Sequence, residues 1–242
     1  MKETIYTIPI NEAFDKDCEC PVCEFLKNDE LQEVEYALGA SMMEPDERIM
    51  SNEFGYCQRH SALMYANGNR LSHALILQTR IEFLSNSVDL LKKSVAKAKK
   101  PKIFKKYTKD ISELQEFKAI ENTACSCVIC KKMDNHLERF IKNLFVIYTK
   151  DDEFKTKFLN SKGFCIKHFY LLLQGAFDNL KADELCEFSE KLCNLQKNNL
   201  DRMYCDVEWF TKKFDYRYKD EEWKNSKDAV ERGCLKISGF IE

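Results

Sequence analysis

Ten residues carry the chemistry of this chain, and they come as one pattern written twice. Cys18-Glu19-Cys20-Pro21-Val22-Cys23 is followed by Gly55-Tyr56-Cys57-Gln58-Arg59-His60. Further on, Cys125-Ser126-Cys127-Val128-Ile129-Cys130 is followed by Gly163-Phe164-Cys165-Ile166-Lys167-His168. Two thiolates separated by two residues turn a knuckle around one ion, and Cys-x-x-His at a helix start adds a thiolate and an imidazole, which completes a tetrahedron. The nearest-neighbour reading joins Cys20 and Cys23 with Cys57 and His60, and Cys127 and Cys130 with Cys165 and His168. Buried cysteines also serve as small hydrophobes, but repetition of all four ligand types argues for metal. Three thiolates and a neutral imidazole suit Zn²⁺, two ions per chain; an iron-sulfur cluster is the alternative, because cysteine dominates both.

Cys18 and Cys125 are surplus, so each copy offers five candidate ligands where a closed zinc site needs four. The extra thiolate has four readings: a replacement for the histidine, an exchanging ligand, a nucleophile activated beside the metal, or an inherited spare. Arg59 and Lys167 precede the histidines, where a cation would offset a tris-thiolate centre or simply be exposed. His73 and His136 have no counterpart and read as surface or capping residues. Cys186 and Cys193 lie beside an apolar seam and read as core.

The elements that must position these ligands are helical. Seven glycines and four prolines in 242 residues leave few tight turns. Ala74, Leu77, Ile81, Leu84, Val88, Leu91 and Val95 recur at steps of three and four, which predicts a long helix with a narrow seam. Leu185, Phe188, Leu192 and Leu195, resuming at Leu200, Met203, Val207, Phe210 and Phe214, predict a second. Leu137, Phe140, Ile141, Leu144, Phe145 and Tyr148 mark a wide apolar helix face before the second Cys-x-x-His; Leu31, Val34, Leu38 and Met42 do so less cleanly before the first. Thr4–Ile10, with Pro9, reads as an extended arm. Nine lysines between Leu91 and Asp110, with Pro101, predict a basic connector. Ile103, Phe104, Tyr107, Ile111, Leu114 and Phe117 then predict a bridging helix, and the tail with Trp223, Val230 and Leu235 a last short one.

Composition narrows the function classes. A net charge of −2 gives no global reason to expect nucleic acid or an anionic membrane, and no apolar run reaches the roughly 18 residues that span a bilayer. The first residues lack a basic region followed by an apolar core, so a reducing cytoplasm is the expected location, where clustered cysteines mean metal or thiol chemistry rather than disulfides. The lysine connector lacks the interleaved aromatics of a single-strand platform, which leaves nucleic acid the less favoured partner. Gly-rich phosphate loops, nucleophile elbows and His-Glu-x-x-His patterns are absent from the sequence. Asp151-Asp152 and Glu221-Glu222 read as solvated helix ends.

The chain resembles an uncharacterised bacterial domain-of-unknown-function family. The likeness rests on the opening residues Met1 to Phe14, the Cys-x-Cys-Pro-x-Cys segment, Met42-Met43-Glu44-Pro45-Asp46-Glu47-Arg48 and the Gly-Tyr-Cys-x-x-His motif. It implies a duplicated, cysteine-rich cytoplasmic protein and carries no activity.

The expected fold is therefore all-α, with two pseudo-repeated halves, each bearing a Cys/His metal knuckle, packed through their long helices around a shared core. Residues 1–100 form the first metal-binding repeat with its arm, 101–119 the connector and bridging helix, 120–215 the second repeat and 216–242 a tail. The expected function is a zinc-stabilised binding or adaptor protein for a protein or small-molecule partner, with no membrane role. The alternative is an iron-sulfur or thiol-dependent redox or metal-handling enzyme that uses the extra cysteines.

Overall fold

Proline and acidic residues at helix starts, and glycine at helix ends, punctuate most of the chain. The computed structural model describes residues 5–97 and 115–239 and contains no strand among them. In order come α1 (Ile8–Asp15), α2 (Pro21–Leu38), α3 (Pro45–Phe54), α4 (Gln58–Asn67) and α5 (Arg70–Lys97). Then follow α6 (Gln115–Cys125), α7 (Val128–Lys150), α8 (Asp152–Leu159), α9 (Ile166–Asn179), α10 (Ala182–Lys212) and α11 (Ala229–Ser238). Pro45 opens α3 with Asp46 and Glu47 in its first turn, where exposed N–H groups favour negative charge. Asp151 caps α8 by accepting from the Glu153 and Phe154 amides. The all-α expectation holds, and a short helix that the periodicity did not mark, α3 or α8, precedes each Cys-x-x-His helix.

The chain divides into two compact units. One runs up to Asn28 and resumes at His136; the other is Asp29–Asn135, so the boundaries fall inside α2 and α7. The core of the first unit is aromatic: Phe14, Tyr148, Phe154, Phe158, Phe164 and Phe188 are buried, with ring centroids 5.0–6.2 Å apart. Each such pair adds about 0.5–1.5 kcal/mol beyond area burial. Val34, Leu38, Met64, Ile76 and Ile129 form the smaller core of the second. The buried described residues thus form two clusters instead of the shared core expected.

Several expectations are corrected. The N-terminal stretch is helical from Ile8, because Pro9 fits a first turn and Ile10, Ala13 and Phe14 share one buried face. The seam on α10 holds as far as Met203, with Phe188, Leu192, Leu195 and Met203 buried, but its expected last member, Phe214, lies beyond the helix end at Lys212 and is exposed. On α5 it fails: Leu77, Ile81 and Val88 are 45%, 63% and 53% exposed, while Ser72, Ile76, Arg80 and Ser87 are buried. The buried Ser87 hydroxyl donates to the Phe83 carbonyl and Arg80 donates to Thr123, so the buried stripe is not the most apolar one. Cys186 and Cys193 are exposed, since each lies one residue past a seam position, about 100° round the helix. The lysine-rich connector beyond Lys97 and most of the bridging segment lie outside the described residues; Phe117 falls within α6.

Candidate metal centres

Each Cys-x-x-Cys motif straddles a helix start. Cys20 immediately precedes α2 with Cys23 in its first turn, and Cys127 precedes α7 with Cys130 in its first turn. The Glu24 amide donates to the Cys20 carbonyl and the Lys131 amide to that of Cys127. Cys57 and Cys165 are the N-cap residues of α4 and α9, and neither thiol is spent on capping. His60 and His168 follow three residues on, one turn in. Gly55 and Gly163, at φ 68° and 74°, provide the left-handed turn into each motif.

The ligand groups join across the two copies. Cys20 and Cys23 meet Cys165 and His168, all buried, within the first unit; Cys57 and His60 meet Cys127 and Cys130 within the second. In the first centre His168 Nδ1 is 3.4, 3.3 and 3.2 Å from the sulfurs of Cys20, Cys23 and Cys165, and the Cys23 and Cys165 sulfurs are 3.6 Å apart. In the second His60 Nδ1 is 3.2, 3.2 and 3.4 Å from those of Cys57, Cys127 and Cys130, and Cys57 and Cys130 are 3.9 Å apart. A tetrahedral ion with Zn–S near 2.3 Å and Zn–N near 2.0–2.1 Å needs sulfur–sulfur edges of about 3.8 Å and sulfur–nitrogen edges of about 3.6 Å. Each quartet could therefore hold one metal ion.

This corrects the expectation that each knuckle is completed by the Cys-x-x-His motif that follows it. The reason is helix length. The 18 residues of α2 carry the chain about 27 Å from the Cys20 knuckle before Cys57 is reached. The 23 residues of α7 carry it about 34 Å from Cys127.

The surroundings of both centres favour thiolates, whose mutual repulsion a metal ion would relieve. Two helix N-termini converge on each: α2 and α9 on the first, α7 and α4 on the second. Their dipoles stabilise thiolate there. Burial pushes the Cys20 thiol far up, and hydrogen bonds from Cys20 and Cys23 pull Cys165 down. Burial, with the neighbouring Cys127, pushes Cys130 up to about 12. Three thiols so close cannot all ionise alone, and a divalent ion removes that conflict.

Cys18 and Cys125 fall outside both quartets, Cys18 half-buried and Cys125 exposed at the end of α6. Burial raises the Cys18 thiol above its usual range, which disfavours the reactive thiolate. His73 and His136 also lie outside the quartets.

Several supporting residues escaped the sequence reading. At the second centre His60 Nε2 is 3.0 Å from Glu30 Oε1, and Arg59 grips Glu30 through Nε and Nη2 at 2.6 and 2.7 Å. The Arg59 hydrogen bond holds the Glu30 carboxyl below its usual range, and burial lowers the His60 imidazole from its ordinary value. Arg59 therefore acts through Glu30, while Lys167, its counterpart, is exposed. Arg80 of α5 lies against Gly55, where any Cβ would come within 2.8 Å of its guanidinium, and donates to Thr123. Gln196 of α10 clamps the other motif, accepting from the Phe164 amide and donating to its carbonyl at 3.0 and 2.8 Å.

The second knuckle is also tied directly, by the Val128 amide donating to the Gly55 carbonyl. Pro21 has no N–H to do the same at the first. There Lys236, fully buried on α11, donates to the carbonyls of Glu19 and Lys162 at 2.6 Å and meets the Glu19 carboxylate at 3.1 Å. Glu19 lies inside the Cys-x-Cys segment and also holds Arg202 and Arg232. Burial raises its carboxyl, but Arg202 and Lys236 bring the net position below the usual range. The only sequence signal was Glu19 itself, a carboxylate between two cysteines where the other copy has Ser126.

With two four-donor groups on the page, the whole-chain comparison is informative. The chain belongs to a family of unknown function, DUF6062. The family model matches residues 1–242. No curated protein and no solved structure matches the chain. The DUF6062 chain therefore has to be read from its own centres, and no helix among its described residues is long and apolar enough to cross a membrane.

Proposed function

We propose that this protein binds two zinc ions, one through Cys20, Cys23, Cys165 and His168 and one through Cys57, His60, Cys127 and Cys130, and that the ions brace a cytoplasmic binding or adaptor protein. The observation that carries this is the closure of both quartets: each imidazole Nδ1 lies 3.2–3.4 Å from three sulfurs. Four protein donors around one ion leave no position for water or substrate, the mark of a structural zinc site. Donor atoms all within 4.8 Å of one another suit a single ion better than a cluster whose separate irons each take a thiolate. Apolar side chains left exposed along α5, including Leu71, Leu77, Ile81 and Val88, support a binding role over catalysis.

The alternative, iron-sulfur or thiol chemistry, draws its support from exposed Cys125 beside the second knuckle. Metal and acid-labile sulfide content of protein purified without oxygen decides between them. Two zinc ions per chain without sulfide is the expected result, and iron with sulfide would overturn the proposal.

A further inference from the structure

A cleft of about 410 Å³ opens in the first unit, between α10, the loop before α11 and the loop that leads to Cys165. Five cations line it, Lys162, Arg202, Lys224, Lys227 and Arg232, against two carboxylates, Asp206 and Asp228, and Lys162 is itself paired with Asp17 at 2.5 Å. Both carboxylates are already engaged by Arg232, at 2.9 and 3.0 Å. Arg202 and Arg232 are in turn held by buried Glu19, so their positions are set from behind. Lys224 and Lys227 have no carboxylate partner among the described residues. Lys224 adopts φ 51°, a left-handed backbone uncommon for a residue with a Cβ, and its ammonium lies 3.7 Å from the centre of the Trp209 ring. Asp228, the N-cap of α11, makes no capping hydrogen bond, so the first N–H groups of that helix are not satisfied by its side chain.

We propose that this cleft binds a small molecule through a phosphate or pyrophosphate group. Arg232 spends its nitrogens on Glu19, Asp206, Asp228 and the Asn225 carbonyl, so Arg202, fixed from behind, and the two lysines without a carboxylate supply the charge-assisted donors for anionic oxygens. The volume lies in the range of small-ligand sites and exceeds what one phosphate fills, which leaves room for the organic part of the ligand. The site is built on the residues that support the first metal centre but does not depend on which ion that centre holds.

The two tryptophans of the chain do not line the cleft, but both are coupled to it through Lys224, whose ammonium lies over the Trp209 ring and which directly follows Trp223 in sequence. The test is a fluorescence titration of the metal-loaded full chain with inorganic pyrophosphate at constant ionic strength, on the parent protein, on Lys227→Gln and on Lys142→Gln as an exposed control. A saturable change that weakens about tenfold in Lys227→Gln and not in Lys142→Gln is expected, the loss of one charge-assisted contact. Absence of a saturable change, an equal response to chloride, or equal affinity in both variants would each overturn the assignment.

Discussion

The two centres share donor types, helix N-termini and a left-handed glycine, yet differ in everything around them. The first is sealed. Its four ligands are buried, α11 lies over it with Gly239 facing the Cys165 and Cys23 sulfurs, and Lys236 joins both ligand loops. Its histidine has no hydrogen-bond partner for Nε2 among the described residues. The second centre is more open, with Cys57 and Cys130 half-exposed, but its histidine is oriented by Glu30 and Arg59. One donor set has thus been given two kinds of support, enclosure in one unit and a tuned imidazole in the other. The lesson is that affinity and accessibility are set separately, by neighbours outside the ligand list.

The sharpest way to break this comparison is to remove the metal. Stripping both ions should cost on the order of 10 kcal/mol of folding free energy, read as loss of cooperative thermal unfolding. During a chelator time course the second centre should release its ion first; simultaneous release would erase the distinction between sealed and open. Ligand variants come next. Cys23→Ser and His168→Ala should each lose one metal equivalent, and the double variant should still lose only one, because both residues serve the same centre. Cys23→Ser combined with Cys57→Ser should lose two, whereas pairing within each copy predicts one.

Smaller effects sharpen the contrast. Lys236→Met should destabilise the first unit by about 2 kcal/mol by leaving Glu19 and two carbonyls short of a donor, with the second centre unchanged; protection of amides in both units, read by hydrogen exchange, checks this. Glu30→Gln should weaken metal binding at the second centre about 10–100-fold and leave the first untouched, measured by competition with a chromophoric chelator. The least effect belongs to Cys18→Ser and Cys125→Ser, which should keep both ions and the fold. Loss of a metal equivalent in either would return that cysteine to the ligand set.

The amino-acid sequence alone determined the helical class and singled out the eight cysteines and histidines that the structure gathers into two groups able to hold a metal ion, because residue types and their spacing of three within a turn are local properties. It also marked the α7 and α10 apolar faces, where burial follows hydrophobicity. It misread α5, because Ser72, Arg80 and Ser87 are buried there, with Arg80 donating to Thr123 in the space that Gly55 leaves without a Cβ, which no apolar period records. Only the tertiary structure decided which knuckle meets which histidine, since a long helix follows each knuckle and spacing in sequence does not say whether the chain returns to the end where that helix began. The same holds for Glu30, Gln196 and Lys236, whose roles arise from contacts across long stretches of chain. A side chain reaching a backbone carbonyl two hundred residues away leaves no trace in spacing, whereas two thiols on one helical turn do.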